Sequence, residues 1–153
     1  MAFRMHHDSV MLPHDILVPI DFSEGSGRAL DYACEIASTL PHVTIHLVHA
    51  TGANLPEANT SLGERAMADL REGTLAALEQ LRSTHPGVTF GPWRVVSGDA
   101  CDVVNTTAAS VRADLIVMGT NGRRGVARLV LGSVAEHVVR TAPCPVLTIR
   151  DAA

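Results

Sequence analysis

A set of glycines followed by a serine carries the clearest chemical signal in the chain. From Gly119 the sequence reads G-x-x-G and, after nine further residues, G-S, which places Gly122, Gly132 and Ser133 at fixed distances from Gly119. Glycine lets a backbone turn sharply and approach a ligand closely. Free N–H groups at the start of a helix bind anions, and a hydroxyl there adds a donor. The pattern therefore predicts a phosphate-binding cradle.

The same residues also have a purely structural interpretation. Glycines that follow a strand often only form turns, and Ser133 can be an ordinary N-cap. Residues 114–118, which precede the pattern, have the apolar composition of a buried strand. Ligands of parallel α/β sheets bind beyond the carboxyl ends of the strands. The position of the pattern therefore favours phosphate binding.

All twelve basic residues are arginines, and the chain has no lysine. A Schiff-base mechanism, a lysine general base and a Walker-type phosphate loop are excluded, because each needs a lysine. Any bound anion must be held by backbone N–H groups, hydroxyls or guanidinium groups. Arg123, Arg124 and Arg128 lie inside the glycine pattern. They either hold a phosphate tail or are solvated loop charges, and the sequence does not decide between the two.

Composition narrows the class of protein further. The 153 residues suit one domain, and no uncharged apolar run is long enough to span a membrane. A net charge of −4 and only five aromatic residues argue against a nucleic-acid partner. Three scattered cysteines and the lack of an apolar leader predict a cytoplasmic protein. The eight histidines lack zinc-site spacing, so we expect no metal site made by the protein alone.

The elements that must position the cradle can be predicted from the apolar pattern. Five strands are expected, at residues 16–20, 43–50, 93–96, 114–118 and 145–149. Helices are expected between them. Ser23 is the predicted N-cap of the first, Ser97 or Asp99 of the third, and the last begins near Ser133. Residues 1–14 are predicted to be a flexible tail and residues 15–150 a single domain.

Strands that alternate with helices and are continuously apolar indicate right-handed βαβ crossovers. The predicted fold class is α/β, a single-domain, five-stranded, doubly wound parallel sheet of the Rossmann-like kind with helices on both faces. The residues that follow the strands, from Ile20, Val48, Val96 and Met118 onward, are then the ones expected to meet a ligand.

Several stretches together resemble the universal stress protein family. They are LVPIDFS at residues 17–23, His49 at the end of the second strand, LIVMGT at 115–120, the glycine pattern, and APCPVL at 142–147. The resemblance runs from about residue 15 to residue 150. It implies an adenine-nucleotide α-hydrolase-like fold for this nucleotide-binding domain.

The resemblance also implies ATP binding, because the glycine pattern separates the family members that bind ATP from those that do not. By position, Asp21 should lie by the adenosine, and the Ala50 backbone should read the adenine edge. The other site residues implied at the adenosine, ribose and phosphates are Pro19, Ile20, Met118, Gly119, Gly122, Arg123, Gly132, Ser133, Val134 and Ala135. Asp21 has a structural alternative, which is to cap the turn into the first helix. Ala135 departs from the better phosphate binders, in which a hydroxyl residue can add a contact.

Three functions follow as hypotheses. The first is a nucleotide-binding stress or signalling protein with little or no hydrolysis, to which Mg²⁺ or Mn²⁺ comes with the ATP. The second is a weak ATPase or adenylyl-transfer enzyme, with Asp21, Asp99 or Glu136 as the conceivable base. The third is an interaction protein whose glycines only form turns. Residues 145–149 have the composition of an edge strand, and the resemblance implies a homodimer paired there.

Overall fold

The structure, a computed structural model, describes residues 12–52, 61–120 and 131–150. The strands are β1 (Asp15–Pro19), β2 (Thr44–Ala50), β3 (Thr89–Phe90), β4 (Arg94–Val96), β5 (Leu115–Gly119) and β6 (Val146–Ile149). The helices are α1 (Glu24–Thr39), α2 (Ser61–Ser83), α3 (Ala100–Val111) and α4 (Ser133–Thr141). The alternation of strands and helices is as predicted. Within these ranges, no helix is long and apolar enough to cross a membrane.

The named strands form one sheet in which every pair is parallel. Their order is β3-β2-β1-β5-β6, with β4 also paired to β2. Strands β2, β3 and β4 lie on one side of β1, and β5 and β6 lie on the other side. Strand order therefore reverses between β1 and β5, and the crevice beyond their carboxyl ends is the position expected for a ligand. The predicted doubly wound parallel fold is confirmed.

Helices cover both faces of the sheet. Successive residues of a strand point to opposite faces, so each strand packs against helices on both sides. Val18 belongs to a fully buried cluster with Leu30 of α1 and Leu78 of α2. Leu17 points the other way and packs in a second cluster with Val138 of α4 and with residues of α3. The strands thus have apolar contacts on both sides, which explains why their sequences are continuously apolar rather than alternating.

The edge strand beside β2 differs from its prediction. One strand was expected at residues 93–96, but β3 pairs with Thr44 and Ile45, and β4 pairs with residues 48–50 further along the same edge. Residues 91–93 separate β3 from β4, whereas only two residues of β2 lie between the positions that pair with them. The edge strand therefore has one more residue than β2 over this stretch, as in a β-bulge. Pro92 within this break has no N–H to give to a ladder. The sheet keeps the five predicted strand positions, with one of them in two pieces.

Candidate functional site

The N-terminus of α4 lies at the carboxyl edge of the sheet and has no side-chain cap. The N-cap is Gly132, in an extended conformation, and no side-chain hydrogen bond closes the helix there. The Gly132 N–H donates to the carbonyl of Thr120 at 2.8 Å, which ties the start of α4 to the residue after β5. The first N–H groups of a helix have no partner within the helix. Those of Ser133, Val134 and Ala135 are therefore available to an anion.

Two other helices begin differently. Ser23 caps α1 as predicted, because its side chain accepts from the Ser26 N–H at 3.2 Å. Asp99, one of the two predicted caps, closes α3 by accepting from the N–H groups of Cys101 at 2.8 Å and Asp102 at 3.3 Å. These backbone hydrogen bonds lower the pKa of the Asp99 carboxyl below its usual value. Of the three helices whose N-caps are described, α4 alone has no side-chain hydrogen bond to its first N–H groups.

The end of β5 lies against the first turn of α1. A Cβ atom added to Gly119 would come within 2.8 Å of the carbonyl carbon of Gly25 and 2.9 Å of its oxygen. Real side chains do not approach a backbone so closely, so this position requires glycine. The next residue, Thr120, is buried, and its N–H donates to the Ile149 carbonyl at 3.0 Å. The end of β5 is thus packed directly against the backbone at the start of α1.

Asp21 follows β1 and takes part in the turn into α1. Its carboxylate accepts from the Ser23 N–H at 3.0 Å and from the Ser23 hydroxyl. The structural alternative considered for Asp21 is therefore present in the fold. This role still leaves the residue at the carboxyl edge of the sheet, beside the end of β2.

The ends of β1 and β2 are joined through a histidine that the sequence analysis noted only as part of the resemblance. The Ile20 N–H donates to the Val48 carbonyl at 2.8 Å, and Nδ1 of His49 lies 2.7 Å from the Ile20 carbonyl oxygen. His49 is buried, and the ring of Phe22 packs on it with a centroid distance of 5.1 Å. Phe22 has φ +63°, in the left-handed region. No local sequence pattern indicates this contact, because it depends on the pairing of two strands.

The predicted site residues occupy three neighbouring places. Pro19, Ile20, Asp21 and Ala50 lie at the ends of β1 and β2, Met118 and Gly119 at the end of β5, and Gly132, Ser133, Val134 and Ala135 at the start of α4. The Met118 and Ala135 side chains are buried in the core, so the backbone is what these two residues present at the edge. Gly122 and Arg123 lie outside the described residues.

The carboxylates considered as catalytic bases are all engaged elsewhere. Asp21 bonds to Ser23, Asp99 caps α3, and Glu136 pairs with Arg140 at 2.7 Å, one helical turn away. In the described part of the chain, no group of three or more His, Cys, Asp or Glu residues could hold a metal ion. The site as described is thus one of backbone donors and carbonyls rather than of poised acids and bases.

Comparison with known proteins finds relatives over most of the chain. The model of the universal stress protein family matches residues 13–150. The chain is 56% identical, over 140 residues, to the universal stress protein MJ0531 of Methanocaldococcus jannaschii, in an alignment covering 88% of this chain and 81% of that protein.

Solved structures share the fold. The structure of hypothetical protein MJ0577 superposes with a TM-score of 0.84 at 23% identity, over 94% of this chain and 99% of the other. A universal stress protein in complex with cAMP has a TM-score of 0.63 at 28% identity, over 92% and 98% of the two chains. The universal stress protein of Archaeoglobus fulgidus in complex with dAMP has a TM-score of 0.62 at 25% identity, over 92% and 100%. The last two proteins bind adenine nucleotides.

Proposed function

Because this chain belongs to the universal stress protein family, we propose that it binds ATP beyond the carboxyl ends of β1 and β5 and acts in a stress response or in signalling. Two relatives of this fold were solved with cAMP and with dAMP, which supports an adenine nucleotide as the ligand class. Both of those ligands are monophosphates, so the choice of a triphosphate is this proposal's own.

The uncapped N-terminus of α4 is the observation that carries the proposal. Its N–H groups and the positive end of the helix dipole attract a phosphate, and the chain has no lysine to do so instead. The caps on α1 and α3 already occupy some of the first N–H groups of those two helices. The Ser133 side chain is exposed, so its hydroxyl can add a hydrogen bond to the same phosphate.

The adenosine then extends from α4 toward the ends of β1 and β2. In this arrangement Pro19, Ile20 and Asp21 lie along the nucleoside, and the Ala50 backbone meets the base. Met118 and Gly119 lie beside the ribose, between the phosphates at α4 and the base at the end of β2. The proposal assigns Mg²⁺ or Mn²⁺ to the nucleotide rather than to a protein site, and Gly122 and Arg123 to the phosphate tail.

We propose that the protein holds ATP and does not cleave it efficiently. Hydrolysis needs a group that positions or deprotonates the attacking water. The hydrogen bonds that lower the pKa of Asp99 make this carboxylate a weak base at neutral pH. Asp21 and Glu136 have partners of their own. An unchanged ATP pool after prolonged incubation with excess protein is the expected result, and turnover abolished by Asp21→Asn would support the enzyme hypothesis.

A charge placed at the start of α4 tests the site. Gly132 has φ −62° and ψ 154°, which any residue adopts, so Gly132→Asp should fold and cap the helix. Its carboxylate occupies the position of the phosphate, and we expect ATP affinity, measured by calorimetry, to fall at least tenfold. Gly132→Asn is the matched control, because it caps the same N–H groups without the charge.

The two variants separate electrostatics from capping. Both should unfold at or above the denaturant concentration of the wild type, since Asp and Asn are better N-caps than glycine. Asn should weaken ATP binding less than Asp. Equal and unchanged affinities in all three proteins would show that ATP does not use this helix. Saturable binding of AMP or cAMP without binding of ATP would keep the ligand class and overturn the choice of ATP.

A further inference from the structure

The parallel ladder between β1 and β2 stops one step before it reaches Ala50. The register runs from Asp15 opposite Thr44 to Pro19 opposite Val48, and the last bond is the one from the Ile20 N–H to the Val48 carbonyl. Hydrogen bonds of a parallel pair recur at every second residue of each strand. The next bond in the series would join the Ala50 N–H to the Ile20 carbonyl.

That bond is not formed among the described residues, and the Ile20 carbonyl is bound by the His49 side chain instead. The distance from Nδ1 of His49 to the carbonyl oxygen is 2.7 Å. A carbonyl oxygen only accepts hydrogen bonds, so Nδ1 carries the proton and donates. His49 is 8% exposed, and its imidazole packs against the ring of Phe22. It is therefore held in this contact rather than free to leave it.

The orientation of the Ala50 amide follows from its neighbour. The Thr51 N–H donates to the Val96 carbonyl at 3.0 Å and so points toward β4. Since successive peptide groups of a strand point to opposite sides, the N–H and C=O of Ala50 point toward β1. There the chain has already turned away at Phe22, whose φ is +63°. One donor and one acceptor of the same residue thus face the gap at the end of β1.

We propose that His49 is a positioning residue for the base: by turning the Ile20 carbonyl toward its imidazole, it keeps that carbonyl from the Ala50 N–H, while the turn at Phe22 leaves the Ala50 C=O unpaired, so that both groups can read the adenine edge. This inference deepens the proposed function and rests on it. Adenine presents an acceptor at N1 and a donor at the 6-amino group, and the Ala50 pair is complementary to both. Guanine presents a donor at N1 and an acceptor at O6, so its pattern is reversed.

Two substitutions at His49 test the role. His49→Leu keeps apolar volume but frees the Ile20 carbonyl, which the Ala50 N–H can then reach. We expect ATP affinity to fall about tenfold, the effect of losing one or two hydrogen bonds. GTP binding should change little, so the ratio of ATP to GTP affinity should fall as well. His49→Asn places an amide N–H near the position of Nδ1 and should restore most of the affinity and of the ratio.

Hydrogen exchange at the Ala50 amide, followed by NMR without nucleotide, gives a second measurement. In the wild type this amide should exchange at least tenfold faster than that of Thr51, which is bonded to β4. In His49→Leu the Ala50 amide should become protected, and in His49→Asn it should stay fast. The wild-type comparison needs no variant, so it is informative even if His49→Leu does not fold.

The two measurements distinguish the inference from the function on which it rests. Wild-type protein that binds no nucleotide would overturn the proposed function. An Ala50 amide as protected as Thr51 in the wild type would overturn the role of His49 whether or not ATP binds. Unchanged base selectivity in a folded His49→Leu variant would do the same.

Discussion

Gly119 shows how one residue can satisfy two requirements. The glycine pattern predicts that this residue approaches a ligand, and the structure gives a separate reason for glycine, which is the contact of β5 with Gly25 at the start of α1. A substitution at this position therefore changes the packing of the protein as well as any ligand site. Ligand binding is better tested at Gly132, whose backbone accepts other residues.

We expect Gly119→Ala to destabilise the protein by about 1–3 kcal/mol, the usual cost of forcing extra atoms into a packed interior. The added Cβ would lie 2.8 Å from the backbone of Gly25, which cannot rotate away as a side chain could. Urea unfolding measures the change. Gly73→Ala is the control, because a Cβ at this exposed position of α2 meets nothing within 4 Å and should stabilise the helix by about 0.5–1 kcal/mol. Equal stability of Gly119→Ala and the wild type would contradict the packing argument.

Single residues differ in how far the sequence predicts them. Ser23 and Asp99 are predicted as N-caps because capping depends on residues two or three positions away, which the local sequence contains. The contact between His49 and the Ile20 carbonyl joins residues 29 positions apart, so it exists only once β1 and β2 are paired. The same holds for the approach of Gly119 to Gly25. Side chains that act within one turn of a helix were predictable, and those that act across strands were not.

At the scale of elements, the three described helix starts serve different purposes. The caps of α1 and α3 are made by the protein's own side chains, whereas α4 begins without a side-chain cap. A cap made by a carboxylate also makes the stability of the helix depend on pH. This applies to α3, because its cap is Asp99.

The stability contributed by Asp99 should be lost in acid. Hydrogen bonds from the N–H groups of Asp102 and Cys101 lower the pKa of this carboxyl in the folded protein. The contribution is therefore complete above the pKa of an unfolded aspartate, about 3.9, and disappears as the pH falls through the lower, folded value. Asp99→Asn keeps an acceptor oxygen without the charge. We expect the difference in urea midpoint between wild type and Asp99→Asn to be constant above about pH 5 and to shrink below pH 4. A difference that does not change with pH would contradict this.

The elements themselves were predicted well where they are long. The apolar runs of β1, β2, β5 and β6 give strands within one residue of the predicted bounds, because burial on both faces fixes their composition. The short strand β3 was missed, since two residues give no periodicity and Gly91 and Pro92 indicate a turn. Its pairing with β2 is a tertiary effect. Of the candidate site, the sequence predicted the three places that come together but not the hydrogen bonds that arrange them.

At the scale of the whole molecule, β6 is an edge of the sheet, and we propose that the homodimer implied by the family resemblance pairs there. The carbonyl of Pro145 accepts from Ile116 of β5, and that of Ile149 accepts from Thr120, just after β5. The alternate residues Val146 and Thr148 therefore point their backbone groups outward. A second copy of β6, related by a two-fold axis, would meet these groups. Such a dimer would form by edge pairing and would not require the nucleotide.

Thr148→Pro should give a monomer. Proline removes the outward N–H of residue 148 and leaves the hydrogen bonds to β5 in place, since proline is tolerated at edge positions whose N–H faces away from the sheet. Light scattering coupled to size-exclusion chromatography measures the mass of the particle in solution. Thr148→Val is the control, because it keeps the N–H and a similar shape, and it should remain a dimer. A dimeric Thr148→Pro protein of wild-type stability would show that β6 is not the interface.

The opposite edge has a consequence for how large the assembly can grow. There, β3 and β4 are two and three residues long, separated by a break that contains a proline, and so present no continuous row of backbone groups to another chain. If a sheet can be extended at one edge only, two copies that pair through β6 leave no edge at which a third copy could add. An association through β6 would then be closed at two copies, and this would keep the protein from polymerising into open-ended fibres.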